Sequence, residues 1–176
     1  MRRWKFAAVA LGVTLALLLP QTASAAAKPK PFRFPSPPFI GTFDPGQVCP
    51  FAVYTEPVGP TQTETLYFDR NGNVVKIAFR GPAKTLLRNV DTGKTLIEDS
   101  GGPGTLWPQP DGSLLGSGGG PGLFALFSGD DRGPALLAVV GHETFTITAP
   151  DANNVTHIVD LDIHGNVTDL CAALAA

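Results

Sequence analysis

Residues 63–80 read Thr63-Glu64-Thr65-Leu66-Tyr67-Phe68-Asp69-Arg70-Asn71-Gly72-Asn73-Val74-Val75-Lys76-Ile77-Ala78-Phe79-Arg80. The opening six are β-branched, aromatic or alternating, which suits a pleated surface. The closing seven place Val75, Ile77 and Phe79 on one side. Between them, Asn and Gly accept the positive φ that a tight reversal needs. The stretch predicts an antiparallel hairpin, and its punctuation recurs along the chain. Asp-centred corners follow at Asp91-Thr92-Gly93, Asp111-Gly112, Asp130-Asp131-Arg132-Gly133 and Asp151-Ala152-Asn153-Asn154, 19 to 22 residues apart. Gly59-Pro60, Gly81-Pro82, Gly102-Pro103 and Gly120-Pro121 interleave with them.

Short extended segments with a turn every ten residues or so, and no helical pattern between, predict an all-β fold. The punctuation gives strands near 48–56, 62–68, 73–80, 84–90, 94–100, 104–109, 113–117 and 122–127. A longer strand is expected over 135–148, with Gly141 read as a bulge and, alternatively, as a turn. It pairs with 155–164, and a short segment at 167–171 leads into a brief helical tail at 172–176. An antiparallel up-and-down meander of this breadth leaves two unpaired edges. The expectation is therefore a barrel of about 8–10 strands, with a β-sandwich as the alternative.

The chain begins Met1-Arg2-Arg3-Trp4-Lys5, followed by an uncharged apolar run from Phe6 to Leu19 and the small-x-small sequence Ala23-Ser24-Ala25. This order predicts a signal peptide over residues 1–25. The run is shorter than the ~18–20 residues a membrane-spanning helix requires. No transmembrane segment is expected after cleavage. The Arg2-Arg3 flanks favour the general export route over the twin-arginine one. The expected location is extracellular or cell-wall associated.

Two cysteines, Cys49 and Cys171, stand near the two ends of the folded part. In an oxidising compartment they read as a disulfide. The chain-entropy model assigns about 5 kcal/mol to a loop of this size. Residues 26–39 form a Pro-rich basic spacer carrying Lys28, Lys30 and Arg33. Its alternating prolines oppose both helix and sheet. Residues 40–176 then make one domain, long enough for one core. Without Arg2, Arg3 and Lys5, 10 of the 13 Lys and Arg remain against 15 Asp and Glu, a net charge of −5. An acidic domain lacks the basic footprint of a nucleic-acid binder.

No nucleophile elbow or phosphate loop is present, and no catalytic residue, metal site or cofactor is expected. Gly120-Pro121-Gly122-Leu123-Phe124-Ala125 matches a dinucleotide fingerprint by letter, but an apolar strand follows where a helix should start. Asp69, Asn71 and Asn73 open like a calcium loop, yet Val74 replaces the required Gly and Arg80 the bidentate Glu. Asp160, Asp162 and His164 alternate on what reads as a solvated face. Three polar residues share parity with apolar neighbours and become candidates for an interior. Glu64 goes with Leu66 and Phe68, Glu143 with Phe145 and Ile147, and His157 with Val159, Leu161 and Ile163. A carboxyl group in an apolar interior has a raised pKa and can serve as acid or base.

Phe68-Asp69-Arg70-Asn71-Gly72-Asn73-Val74-Val75, Asp91-Thr92-Gly93-Lys94, Pro110-Asp111-Gly112-Ser113, Gly120-Pro121-Gly122-Leu123 and Asp169-Leu170-Cys171-Ala172-Ala173-Leu174 together resemble a group of small uncharacterised secreted proteins of actinobacteria. The similarity spans residues 48–174 and rests on turn motifs, so it implies architecture rather than activity. That architecture looks like the β-barrels of lipocalins and allene oxide cyclase, though no lipocalin Gly-x-Trp signature lies near the first strand. The functional expectation is a non-enzymatic exported barrel that takes a small apolar ligand or a cell-envelope component. Two alternatives are a structural or inhibitor-like protein-binding module presenting the Gly-rich 116–122 segment, and an isomerase- or cyclase-like enzyme using Glu64 or Glu143.

Overall fold

A computed structural model describes residues 29–37 and 39–175. The expected signal peptide and the first residues of the spacer lie outside the described residues. The hairpin of residues 63–80 is present, with β4 (Thr63–Phe68) antiparallel to β5 (Val74–Arg80) and Leu66 opposite Ile77. Asp69 closes it. Its Oδ1 accepts the N–H of Asn71 at 2.8 Å and of Asn73 at 2.9 Å. A carboxylate bonding its own backbone two residues on is what favours Asp in turns. Asp111 accepts from Ser113 in the same way, and Asp151 from Asn153 and Val155. At the Asp91 corner the side chain at work is Asn89, two residues earlier, accepting from the N–H groups of Asp91 and Thr92.

The two kinds of corner have different effects. Asp corners join strands that are neighbours in one sheet. They connect β4 to β5, β6 (Lys84–Asn89) to β7 (Thr95–Asp99), and β8 (Gly104–Pro108) to β9 (Leu114–Leu126). They also connect β9 to β10 (Ala135–Ile147) and β10 to β11 (Ile158–Asp169). Gly-Pro corners move the chain between sheets. With β1 (Phe32–Pro35), β2 (Gly41–Phe43) and β3 (Val53–Pro57), the sheets have the orders β1-β4-β5-β8-β9-β10-β11 and β2-β3-β6-β7. The chain changes sheet at Gly59-Pro60, Gly81-Pro82 and Gly102-Pro103. Gly59 and Gly81 carry φ of +102° and +113°, which turn the backbone out of its sheet. The proline after each has no N–H to extend the ladder. The fold is all-β, with two antiparallel sheets in place of one continuous meander. Hydrogen bonding among the described residues closes neither sheet into a ring.

Three local expectations are corrected. Gly120-Pro121 is no break, because residues 113–117 and 122–127 merge into the 13-residue β9, in unshifted register with β10 throughout. The Pro121 carbonyl accepts from Gly102 N–H at 2.7 Å, on the side away from β10. Carbonyl and amide of one strand residue point the same way, so the missing N–H falls on that side, beyond the end of β8, and no ladder bond is lost. Gly141 is neither bulge nor turn. It pairs with Gly120 and Gly165 in regular register, and a Cβ there would meet the backbone of His164 and Gly165. The bulge lies opposite Phe145, where Asp160, at φ +55°, is the extra residue of β11. Finally, part of the spacer forms β1, paired with β4 at the sheet edge where a Pro is tolerated.

Cys49 and Cys171 are bonded, with Cα atoms 5.4 Å apart and a sequence separation of 122. Asp169 accepts from Ala172 N–H and caps α1 (Leu170–Ala175), whose Leu170 and Leu174 are buried. These two leucines pack with Val53, Leu87 and Leu136, and with Leu123, Ala125 and Ala138 at the margin. The opposite parity of the same strands, Phe124, Leu126, Leu137 and Val139, packs with Leu161 and Phe145. The first halves of β10 and the last of β9 are thus covered on both faces. That explains why residues 135–139 are continuously apolar; Val140, the next residue, is exposed.

Candidate functional site

Directly paired residues of antiparallel strands put their side chains on the same face. Following the register across the large sheet gives one row: Glu64, Phe79, Gly104, Gly118, Glu143 and Ile163. The adjacent row is Leu66, Ile77, Leu106, Gly116 and Phe145. On this face β9 presents Gly116, Gly118, Gly120 and Gly122 in succession. Four alternate glycines remove the side chains from half of one strand face. A Cβ at Gly116 would overlap the Phe145 ring, and one at Gly118 would overlap the Glu143 carboxyl. The space they leave holds those two side chains and a cavity of about 330 Å³.

Phe79, Leu106, Phe124, Phe145 and Ile147 give the cavity its apolar wall, with Gln62, Ser100, Thr105 and Ser117 as polar neutral members. Glu143 is its one charged lining residue among those described. Phe124 and Phe145 meet edge to face, centroids 5.6 Å apart. Glu143 is only 6% exposed, and its Oε2 is buried without a hydrogen-bond partner. Burial raises its carboxyl above the ordinary range, with His142 pulling weakly the other way. Orphaned buried carboxyl oxygens are rare, because such a group costs free energy unless something answers it. Among the described residues nothing does so here.

The other two candidates fare differently. Glu64 lies in the same row as Glu143, half-buried between Phe34 and Phe79, but β5, β8 and β9 separate the two carboxylates and Glu64 does not line the cavity. His157 is not interior. It precedes β11 and belongs to a corner held by Asp130, whose side chain is 3% exposed. Asp130 Oδ1 accepts from Ile158 N–H at 3.1 Å and hydrogen-bonds His157 Nδ1 at the same distance, while Oδ2 accepts from Phe127 N–H at 2.7 Å. Asp131 accepts from Leu161 N–H at the bulge. These two aspartates fasten the β9–β10 turn to β11, so the His157 role is structural. Parity failed there because residues 155–157 are not in the strand. Asp162 and His164 pair at 3.0 Å on the exposed face, where the alternation placed them.

A second cavity, about 420 Å³, lies between the sheets, bounded by Thr55 and Leu87 on one side, Leu123 and Leu136 on the other, and Phe39 from the N-terminal arm. It is larger but holds no buried ionisable group, so the chemistry concentrates at Glu143. Among the described residues no cluster of three or more His, Cys, Asp or Glu is arranged to hold a metal. No helix among them is long and apolar enough to cross a membrane.

The glycine stripe was the signal overlooked in the sequence. Read as a loop, Gly-x-Gly-x-Gly-x-Gly is turn-rich; read at period two, it is a strand with one bare face. No known family model, curated protein or solved structure matches the chain.

Proposed function

We propose that this chain is an exported, non-enzymatic β domain that binds a small, mainly apolar molecule in the cavity beside Glu143. The observation that carries the reading is the bare face of β9, which opens a cavity of about 330 Å³ between aromatic walls. That size falls at the lower end of small-molecule sites, about 300–1,000 Å³. The large sheet is read here as an open barrel that curls round the cavity. Supporting this, β5, β8, β9, β10 and β11, neighbours in the large sheet, all contribute lining residues. Export is supported by the charged, apolar and small-residue order of residues 1–25 and by the disulfide. Among the described residues Glu143 has no second ionisable group beside it in the cavity lining, which favours binding over a paired acid–base mechanism. An inhibitor-like module would find no loop to present at 116–122, which lies within β9.

The test uses Gly122→Leu. A Cβ at Gly122 meets Glu143 Oε1 at 3.6 Å and Phe124 Cε2 at 3.8 Å, ordinary contacts, so the added side chain fills the cavity without backbone strain. Titrating the protein with benzyl alcohol should shift the amide NMR signals of residues around Phe79, Gly118 and Phe145, and G122L should abolish those shifts. Shifts elsewhere, or shifts that survive G122L, would refute the assignment. Native mass spectrometry of the protein purified from culture fluid would identify any molecule it retains.

A further inference from the structure

We infer that the ligand of this cavity carries a protonated amine, so that an organic ammonium group sits against Glu143 while its apolar body packs on Phe79, Phe124 and Phe145. This deepens the small-ligand reading and rests on it. Three observations point the same way. First, the one charged lining residue is an acid, and no Lys, Arg or His joins it to supply a counter-charge. Second, its Oε2 is buried, and no described residue supplies a donor to it. An ammonium brings three donors and a positive charge, and charge-assisted bonds are the strongest available to a carboxylate. Third, three phenyl rings share the lining with it. Aromatic faces attract cations, and a carboxylate with aromatic walls is a common way to recognise an ammonium. A carboxylate-bearing ligand is disfavoured by the same arrangement, since two acids in one apolar site repel.

The groups facing Glu143 leave it free to titrate with the ligand. β9 contributes no ionisable side chain, its sequence being Leu114-Leu115-Gly116-Ser117-Gly118-Gly119-Gly120-Pro121-Gly122-Leu123-Phe124-Ala125-Leu126. β11 places Ile163 opposite, with Asp162 and His164 exposed on its other face. Within β10, His142 is adjacent in sequence and exposed. Empty, the carboxyl group holds its proton to higher pH than usual. An ammonium displaces that proton and pairs with the anion, so amine affinity should fall as the pH is lowered.

The experiment compares benzylamine with benzyl alcohol, a neutral probe of nearly the same shape, by calorimetric and NMR titration of the full mature protein and of Glu143→Gln. The expectation is that benzylamine binds at least about tenfold more tightly than the alcohol. E143Q should lose that preference, binding the two probes equally whatever its affinity for either, and amine affinity of the unmodified protein should decline as the pH is lowered from 8 to 4. Equal affinity for both probes, or an amine preference that persists in E143Q, overturns the ammonium assignment and leaves the small-ligand reading standing. Failure of both probes to bind overturns the two together. The pH series on the unmodified protein decides the matter even where E143Q folds poorly, because a pH-independent amine affinity contradicts the proposal by itself.

Discussion

Replacing Glu143 by methionine should make the protein more stable, and more so as the pH rises. The side chains are similar in length, and methionine adapts to irregular apolar gaps. The substitution removes a buried carboxyl oxygen that lacks a partner. An unsatisfied buried polar group costs about 1–3 kcal/mol. For a domain of this size that corresponds to about 4–12 °C in Tm. The pH dependence follows from the upward pKa shift caused by burial. Below the unfolded-state value, about 4.3, the group is protonated in both states and costs nothing further. As the pH climbs from there through the raised folded-state pKa, the unfolded chain releases the proton first, and native stability is lost. The gain of E143M should therefore be smallest near pH 4 and largest near pH 8. Asp69, Asp111 and Asp151 have the opposite sign, since hydrogen bonds, led by those from Asn73, Ser113 and Val155 respectively, lower their pKa values. Their stabilisation is present above about pH 4 and lost as the pH falls through the lowered values, identically in both proteins. Thermal unfolding followed by circular dichroism at pH 4, 6 and 8 measures the difference directly. A variant less stable than the parent, or a gain constant across that range, would refute the claim that Glu143 is an unsatisfied acid in an apolar site. The same variant should fail to distinguish benzylamine from benzyl alcohol, which would separate the residue's contribution to stability from its contribution to binding.

Gly141→Ala places a methyl against the His164 and Gly165 backbone, which cannot rotate away; overpacking of this kind costs about 1–3 kcal/mol, read in denaturant titration. Joint replacement of Cys49 and Cys171 by serine should lower stability by about 2–5 kcal/mol, since the bond spans 122 positions. Chemical reduction of the parent should reproduce that loss. Asp130→Ala should cost about 1–3 kcal/mol by removing the acceptor of the Phe127 and Ile158 N–H groups. Hydrogen exchange should then rise first at those two amides, while Glu143-dependent ligand binding persists in the folded fraction.

Local chemistry was legible wherever a residue's effect is confined to a few neighbours. Asp69, Asp111 and Asp151 cap their own turns, so their sequence spacing locates the hairpins directly. Cys49 and Cys171 form the bond their count implied. The inward parity of Glu143 was readable because Phe145 and Ile147 alternate with it on a regular strand. Parity misled at His157, where residues before β11 carry no strand geometry, and at Gly120-Pro121, where a proline stays inside a strand because the side lacking an N–H faces no partner.

From its amino acids alone the chain declares strands, hairpin corners, a cross-link and an acid pointed inward, because each of these depends on contacts within a turn or along one strand. Which hairpins share a sheet, and what stands opposite Glu143, depend on register between strands far apart in sequence. Only the folded arrangement brings Gly118 of β9 under the carboxyl group of β10 and leaves an aromatic hollow beside it, since an empty space is a property of how side chains pack and not of any residue in the chain.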